Sequence, residues 1–326
     1  MATDIILFIA CIAFVIIGAE WLVTGSVALA KRSGISEYVI GATIIGIGTS
    51  MPELAVSFFA ALKGNADIAI GNVAGSNMAN TFLILGVTAL ISPIVFTRQN
   101  LRRDIPVTLG VSVLLALFAL DSFFWKLDVN SIVWPEAVVL LVLFAGYMWL
   151  CFKQDKGSLA EGASSPAGAS EADSKPVPLF KSIAQIVIGL GMLIIGGDLF
   201  VDSGTNIARA LGVSDSLIAI SMMAVGTSMP ELATCVIAAA KRNNQLALGN
   251  ILGSNISNIL LILGVSGCVI PLNINAESFL SLMLLPASIV ILWLTSFMFR
   301  KKTLDRAEGA LFILLYAAYI FTIGRM

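Results

Sequence analysis

The 326-residue chain contains no histidine. That absence removes imidazole ligation of haem, zinc or copper, and with it the usual Ser-His and Cys-His catalysis. Charge is scarce as well: Asp, Glu, Lys and Arg make up 12% of the residues, against roughly 25% in a soluble domain. The net charge of -1 points to no polyanionic partner. The basic residues sit at the ends of apolar runs rather than in a stripe that would grip nucleic acid. Cysteine is limited to Cys11, Cys151, Cys235 and Cys268, with no CxxC pair and all in or beside apolar runs. These read as small core residues without a redox role.

What the chain does have is hydrophobic length: 58% of residues are hydrophobic, in recurrent runs of about 20 residues. This pattern predicts an all-α integral membrane protein whose partner is the lipid bilayer. Ten spans are expected, at about 4–30, 36–62, 67–92, 104–121, 130–152, 179–208, 214–240, 245–271, 278–299 and 306–324. The N-terminal run from Ile5 to Ala30 lacks a basic leading segment and continues through Glu20, so it reads as a membrane helix rather than a signal peptide. Residues 1–152 and 179–326 hold five spans each. Between them, 153–178 is rich in Ser, Ala, Gly and Pro and reads as a flexible linker, too short for a folded regulatory domain. On this plan 15 of the 19 Lys and Arg residues fall on the linker side. The positive-inside rule then makes the linker cytoplasmic and both termini extracytoplasmic.

The octapeptide GTSMPELA occurs twice, from Gly48 and from Gly226, 178 residues apart. At the same offset, residues 34–87 align without a gap to 212–265 with 27 identities in 54 positions. Because each half holds an odd number of spans, the second copy must lie inverted in the membrane, an arrangement suited to alternating access around a midplane site.

Pro52 and Pro230 lack an N–H and clash with the preceding turn, so a helix break is expected around Gly48–Pro52 and Gly226–Pro230. The freed carbonyls could meet a dehydrated cation, or the kinks could be satisfied by the hydroxyls of Thr49, Ser50, Thr227 and Ser228. Each proline is followed by a glutamate, Glu53 or Glu231, deep in its span. A charge there costs roughly 2.5–3.5 kcal/mol even on insertion scales and marks a functional site. Two inward carboxylates suit one divalent or several monovalent cations, with protons as competitors. The next helix of each copy reads GNVAGSNMAN or GNILGSNISN, placing Ser76 with Asn80, and Ser254 with Asn258, on one face with Asn72 or Asn250 a turn earlier. Gly71 with Gly75, and Gly249 with Gly253, have the small-xxx-small spacing of close helix packing. Carboxylate, carbonyl, hydroxyl and amide oxygens select hard cations, Ca²⁺, Na⁺ or Mg²⁺, and a flexible shell of many oxygens favours Ca²⁺. Glu20 and Asp198 form one further pair at the same offset. They could assist ion access or hydrogen-bond a neighbouring helix.

GTSMPEL with GNVAGSNMAN, repeated as GTSMPEL with GNILGSNISN, resembles the two alpha-repeats of the calcium/cation antiporter superfamily, specifically the prokaryotic sodium/calcium exchangers. The resemblance implies that Glu53 and Glu231 coordinate Ca²⁺ and share Na⁺ sites, and that the carbonyls of Thr49 and Thr227 complete the calcium shell. It also implies that Ser50, Ser228, Ser76 and Ser254 contribute to Na⁺ sites, that Asn80 and Asn258 fill the remaining central positions, and that the first and sixth helices slide across the rest. Potassium-dependent exchangers carry aspartate where Asn258 stands, so a pocket with two carboxylates argues against potassium dependence.

The expectation is therefore a secondary antiporter of the bacterial inner membrane, not an enzyme. It would exchange Ca²⁺ for Na⁺ as transported ions, with no cofactor and no protein partner indicated. The competing readings are a Ca²⁺/H⁺ antiporter with the same site, a channel, and an intramembrane hydrolase using the paired glutamates as acid and base.

Overall fold

The computed structural model describes residues 2–120, 130–161, 178–210, 226–298, 302–323 and 325. Nearly all of these are helical, as a chain that must satisfy its own backbone polar groups in lipid requires. Helix α1 (Ala2–Ser33) is followed by α2 (Glu37–Ile40), a π-helical turn at Gly41–Ile45, α3 (Gly46–Thr49) and α4 (Met51–Leu62). Next come α5 (Ala66–Met78), a π turn at Ala79–Ile84, and α6 (Leu85–Ile91). Strand β1 (Ile94–Val95), a π turn at Asn100–Asp104, α7 (Ile105–Phe118), β2 (Ser131–Ile132) and α8 (Trp134–Glu161) complete the first half. The second half holds α9 (Leu179–Ala210), α10 (Met229–Ala240), α11 (Asn244–Ser257), a π turn at Asn258–Leu263, α12 (Gly264–Val269), β3 (Leu272–Asn273), α13 (Ala276–Met298), β4 (Thr303–Leu304) and α14 (Arg306–Ile323).

Among the described residues seven helices are long and apolar enough to cross a membrane, and the pair Glu37–Thr49 and Met51–Leu62, bent by 44°, makes an eighth if counted as one span. The bend falls in the expected place: at Ser50 the backbone leaves helical geometry (φ -83°, ψ 7°). Pro52 then supplies no N–H to the Gly48 carbonyl. Ser228 repeats the conformation (φ -88°, ψ 7°) ahead of Pro230. The fourth expected span is the shorter helical stretch through α7, and for the seventh only α10 is described, because 211–225 lie outside the described residues. Helix α8 continues past Lys153 to Glu161, into the segment expected as linker. Lys, Gln, Leu, Ala and Glu there favour helix and the first proline comes later, at Pro166. Residues 162–177 of that segment lie outside the described residues.

The expectation of an all-α chain needs one amendment. Two antiparallel ribbons of two residues a strand, β1 with β4 and β2 with β3, each join one half to the other. Strands this short carry no alternation to read in sequence.

Burial divides the helices into two groups. The stretch Asn244–Val269 is mostly buried, whereas most residues of α1 and α9 are not. These two pack along one another at glycines: a Cβ on Gly189 would stand 2.7 Å from the Gly18 carbonyl oxygen. Helix α11 is enclosed from Leu246 onward, as is Asn258 at the start of the π turn after it, so Asn250, Ser254, Asn255 and Asn258 are kept from lipid. Its close approach to α2 and the following π turn depends on Gly249 and Gly253, where a Cβ would run into the backbone of Tyr38 and of Ala42. In the other copy, a Cβ on Gly71 would meet only Ser278 Oγ, at 3.7 Å, and one on Gly75 nothing within 4 Å among the described residues. Gly253→Ala is expected to destabilise the protein by about 1–3 kcal/mol. Gly110→Ala, with open space around its Cβ, should be neutral or gain up to about 1 kcal/mol of helix propensity. Thermal unfolding of the two variants in detergent checks the difference.

Candidate functional site

The two glutamates stand at equivalent positions. Glu53 lies in the first turn of α4 and Glu231 in the first turn of α10, where the helix N-terminus favours negative charge. Both are fully enclosed, at 0% and 1% exposure. Each is held by hydroxyls from both halves. Ser76 Oγ and Ser228 Oγ each donate to Glu53 Oε1 at 3.5 Å, and Thr227 hydrogen-bonds the same carboxylate. Ser50 Oγ donates to Glu231 Oε1 at 3.1 Å, with Thr49 and Ser254 also in hydrogen-bonding range of that group. The motif serine of one half thus reaches the glutamate of the other, which brings the two distant octapeptides into one cluster.

Further hydrogen bonds hold the cluster in place. Thr49 Oγ1 lies 3.1 Å from the Ile45 carbonyl and 3.2 Å from Asn250 Oδ1. Ser254 Oγ donates to the Gly46 carbonyl at 3.1 Å. Asn72 Nδ2 donates to the Glu53 carbonyl at 3.2 Å and to Ser57 Oγ at 3.0 Å, so it braces the glutamate's backbone rather than its carboxylate. Asn250 Nδ2 meets Cys235 Sγ at 3.3 Å, Cys235 being the counterpart of Ser57.

Asn80 and Asn258 stand at the start of their π turns and are gripped by two residues the sequence reading passed over. Asn80 Nδ2 donates to Asn255 Oδ1 at 3.1 Å, and Asn258 Nδ2 donates to Asn77 Oδ1 at 2.9 Å. Asn255 Nδ2 in turn donates to Thr81 Oγ1 at 3.0 Å, and Asn77 Nδ2 to the Asn255 carbonyl at 3.1 Å. With their amide nitrogens engaged, Asn80 and Asn258 are left with free oxygens. Among the described residues, four buried acceptors of the cluster, Glu53 Oε2, Glu231 Oε2, Asn80 Oδ1 and Asn258 Oδ1, have no hydrogen-bond partner. A buried polar atom without a partner costs about 1–3 kcal/mol. That all four are acceptors, and two belong to carboxylates, is the pattern of a place prepared for a positive ion.

Asp198 and Glu20 are separated from this cluster. Asp198 lines a cavity of about 760 Å³ together with Asp202 on α9, Met51, Pro52, Ala55 and Phe59 on the facing side, and Gly226, Thr227 and Pro230. Thr227 both lines this cavity and contacts Glu53. The cavity therefore abuts the glutamate cluster. Glu20 Oε1 lies 3.3 Å from Lys241 Nζ. All four cysteines are free thiols.

A nearly all-helical membrane chain with buried paired carboxylates and an oxygen-only polar centre is a cation transporter rather than an enzyme. Its sequence matches the model of the sodium/calcium exchanger protein family over residues 3–153 and 181–324. The chain belongs to that family, and with it to the calcium/cation antiporters. It is 36% identical over 301 residues to an uncharacterized membrane protein of Methanocaldococcus jannaschii, covering 92% of this chain and 91% of that one. To the sodium/calcium exchanger MaX1 of Methanosarcina acetivorans it is 31% identical over 333 residues, 94% of each chain. The structure is similar to that of the sodium-calcium exchanger NCX_Mj soaked with 2.5 mM Na⁺ and 10 mM Sr²⁺, with a TM-score of 0.82, 31% identity, and 98% of this chain and 99% of that chain covered.

Proposed function

We propose that this antiporter exchanges Ca²⁺ for Na⁺ by alternating access at one midplane site shared by Glu53 and Glu231. The observation that carries the reading is the set of four buried, unpartnered acceptor oxygens on Glu53, Glu231, Asn80 and Asn258. With the carbonyls of Thr49 and Thr227 they would supply a Ca²⁺ shell of six or more oxygens, the number this ion takes. Ser50, Ser228, Ser76 and Ser254, now hydrogen-bonded to the glutamates, would turn their oxygens to Na⁺ as the carboxylates rearrange. The site holds two carboxylates and two amides, so K⁺ is no required co-substrate.

The reading includes ten spans in two inverted halves, 1–152 and 179–326, joined by a cytoplasmic linker at 153–178, with both termini extracytoplasmic and the chain in the bacterial inner membrane. Three observations support the inversion: the sequence identity at an offset of 178, the match of α4 (Met51–Leu62) to α10 (Met229–Ala240) at that offset, and the serine-to-glutamate bonds that cross between halves. Vesicles holding the protein should take up Ca²⁺ against an outward Na⁺ gradient and not when K⁺ or choline replaces Na⁺. Uptake driven by a pH gradient in Na⁺-free buffer at the same rate would overturn Na⁺ coupling in favour of a Ca²⁺/H⁺ antiporter.

A further inference from the structure

The 178-residue repeat extends beyond the cation cluster to residues at its edge. Glu20 corresponds to Asp198, Thr24 to Asp202, and Lys63 to Lys241. The two lysines occupy the same backbone position: Lys63 caps the C-terminus of α4 (φ -86°, ψ 1°) and Lys241 that of α10 (φ -83°, ψ 4°). In the structure the two sets are in opposite states. Lys241 Nζ is 3.3 Å from Glu20 Oε1 and donates to Thr24 Oγ1 at 2.8 Å, where α1 packs against α10. The corresponding faces of α9 and α4 are parted by the 760 Å³ cavity, with Asp198 and Asp202 on its wall. Among the described residues, Asp198 and Lys63 form no ion pair.

We infer that Glu20 with Lys241, and Asp198 with Lys63, are two alternating latches that position the α1 and α9 pair during exchange. The inference rests on the inverted-repeat, alternating-access reading above. In the state described here the first latch holds α1 against α10 and shuts that face of the cluster, while the second is open and the cavity reaches Thr227. When α1 and α9, which pack mainly on one another and are largely uncovered, shift across the remaining helices, Lys241 leaves Glu20. Lys63 then meets Asp198 and closes the cavity. Because an exposed ion pair is worth about 1 kcal/mol or less, trading one for the other keeps the two states close in free energy, as an exchanger cycling between them requires. Asp202 stands where the first latch has Thr24, so the second lysine finds two carboxylates. Removing either lysine therefore biases the population toward the state in which the other latch is closed.

The test uses the full chain, with its four cysteines replaced by serine, reconstituted in vesicles. Ala55→Cys reports on the cavity and Ala233→Cys, its repeat counterpart on α10, reports on the opposite face, each read by a membrane-impermeant maleimide added from either side. Lys241→Gln is expected to lower labelling at position 55 and raise it at position 233, by about two- to fivefold, the range of an exposed ion pair. Lys63→Gln should do the reverse. The charge exchange Glu20→Lys with Lys241→Glu should restore the starting ratio, which a merely structural role for Lys241 would not give. Shifts in the same direction for both lysine variants, or none in either with the protein folded, overturn the latches. Labelling at 233 from the same side as 55 overturns the inverted repeat instead. Labelling requires no transport, so failure of Na⁺/Ca²⁺ exchange itself is read separately.

Discussion

Glu53→Gln combined with Glu231→Gln is expected to abolish Ca²⁺ uptake, and each single substitution to weaken apparent Ca²⁺ affinity by about a hundredfold or more. Replacing one carboxylate facing a dehydrated divalent ion removes a charge-assisted interaction in a site closed to water. Losses of about 3 kcal/mol follow from breaking such a buried charge partnership, and 1.4 kcal/mol is about tenfold. The fold should survive. Both glutamines retain an oxygen to accept from Ser76, Ser228 and Ser50, and the empty variant no longer confines two negative charges in a low-dielectric interior. Without Ca²⁺ its thermal stability should therefore equal or exceed that of the parent protein. Adding Ca²⁺ should raise the melting temperature of the parent, by linkage of about 2.7 kcal/mol at a hundred times Kd, and leave that of the double variant unchanged. A variant that still takes up Ca²⁺ against a Na⁺ gradient would remove Glu53 and Glu231 from the site.

These glutamates were legible in sequence because each is an anomaly on its own: a charge in an apolar run, directly after a proline, in two copies. The break at Ser50 and the burial of nine of the ten candidate residues follow from the same reasoning, since proline and buried oxygen act locally. Thr227, the tenth candidate, is only partly enclosed because it borders the cavity. What sequence could not show depends on tertiary contact. Asn77 and Asn255 lie one residue from the serine and asparagine stripe, about 100° around the helix, so a search for a single face discards them. The signal that marks them is identity between the copies, GSN in each. The π turns at Ala79–Ile84 and Asn258–Leu263 have no signature of their own in these apolar stretches. They widen the helix where Asn80 and Asn258 point inward, as π segments do at functional positions. The contrast between Glu20 and Asp198 was likewise hidden. Glu20 and Asp198 look equivalent in sequence, yet one is paired with Lys241 and the other faces a cavity, a difference that only the three-dimensional arrangement shows.

The asparagine crossing carries the second large effect. An amide can present either its oxygen or its nitrogen, and only the oxygen suits a cation. Asn255 Oδ1 accepts the Asn80 nitrogen and Asn77 Oδ1 accepts the Asn258 nitrogen, so each half sets the other's amide with its oxygen left free. Asn255→Leu keeps the approximate size and removes that acceptor. The Asn80 nitrogen must then find another, and the cluster itself holds buried acceptors without partners. An amide turned this way withdraws one ligand and puts a donor in competition with the ion. Apparent Ca²⁺ affinity should fall at least about tenfold, and stability by about 1–3 kcal/mol for each group left unpaired. Asn77→Leu should have the same effect through Asn258. Thr81→Val separates orientation from simple loss of a bond. It removes the acceptor of Asn255 Nδ2 but leaves Asn255 Oδ1 on Asn80, so it should cost about 1–3 kcal/mol of stability and change affinity less than threefold. Calcium titrations and melting curves for the three variants decide it. Equal losses of affinity in Asn255→Leu and Thr81→Val would mean that packing, rather than the direction of the Asn80 amide, sets the strength of the site.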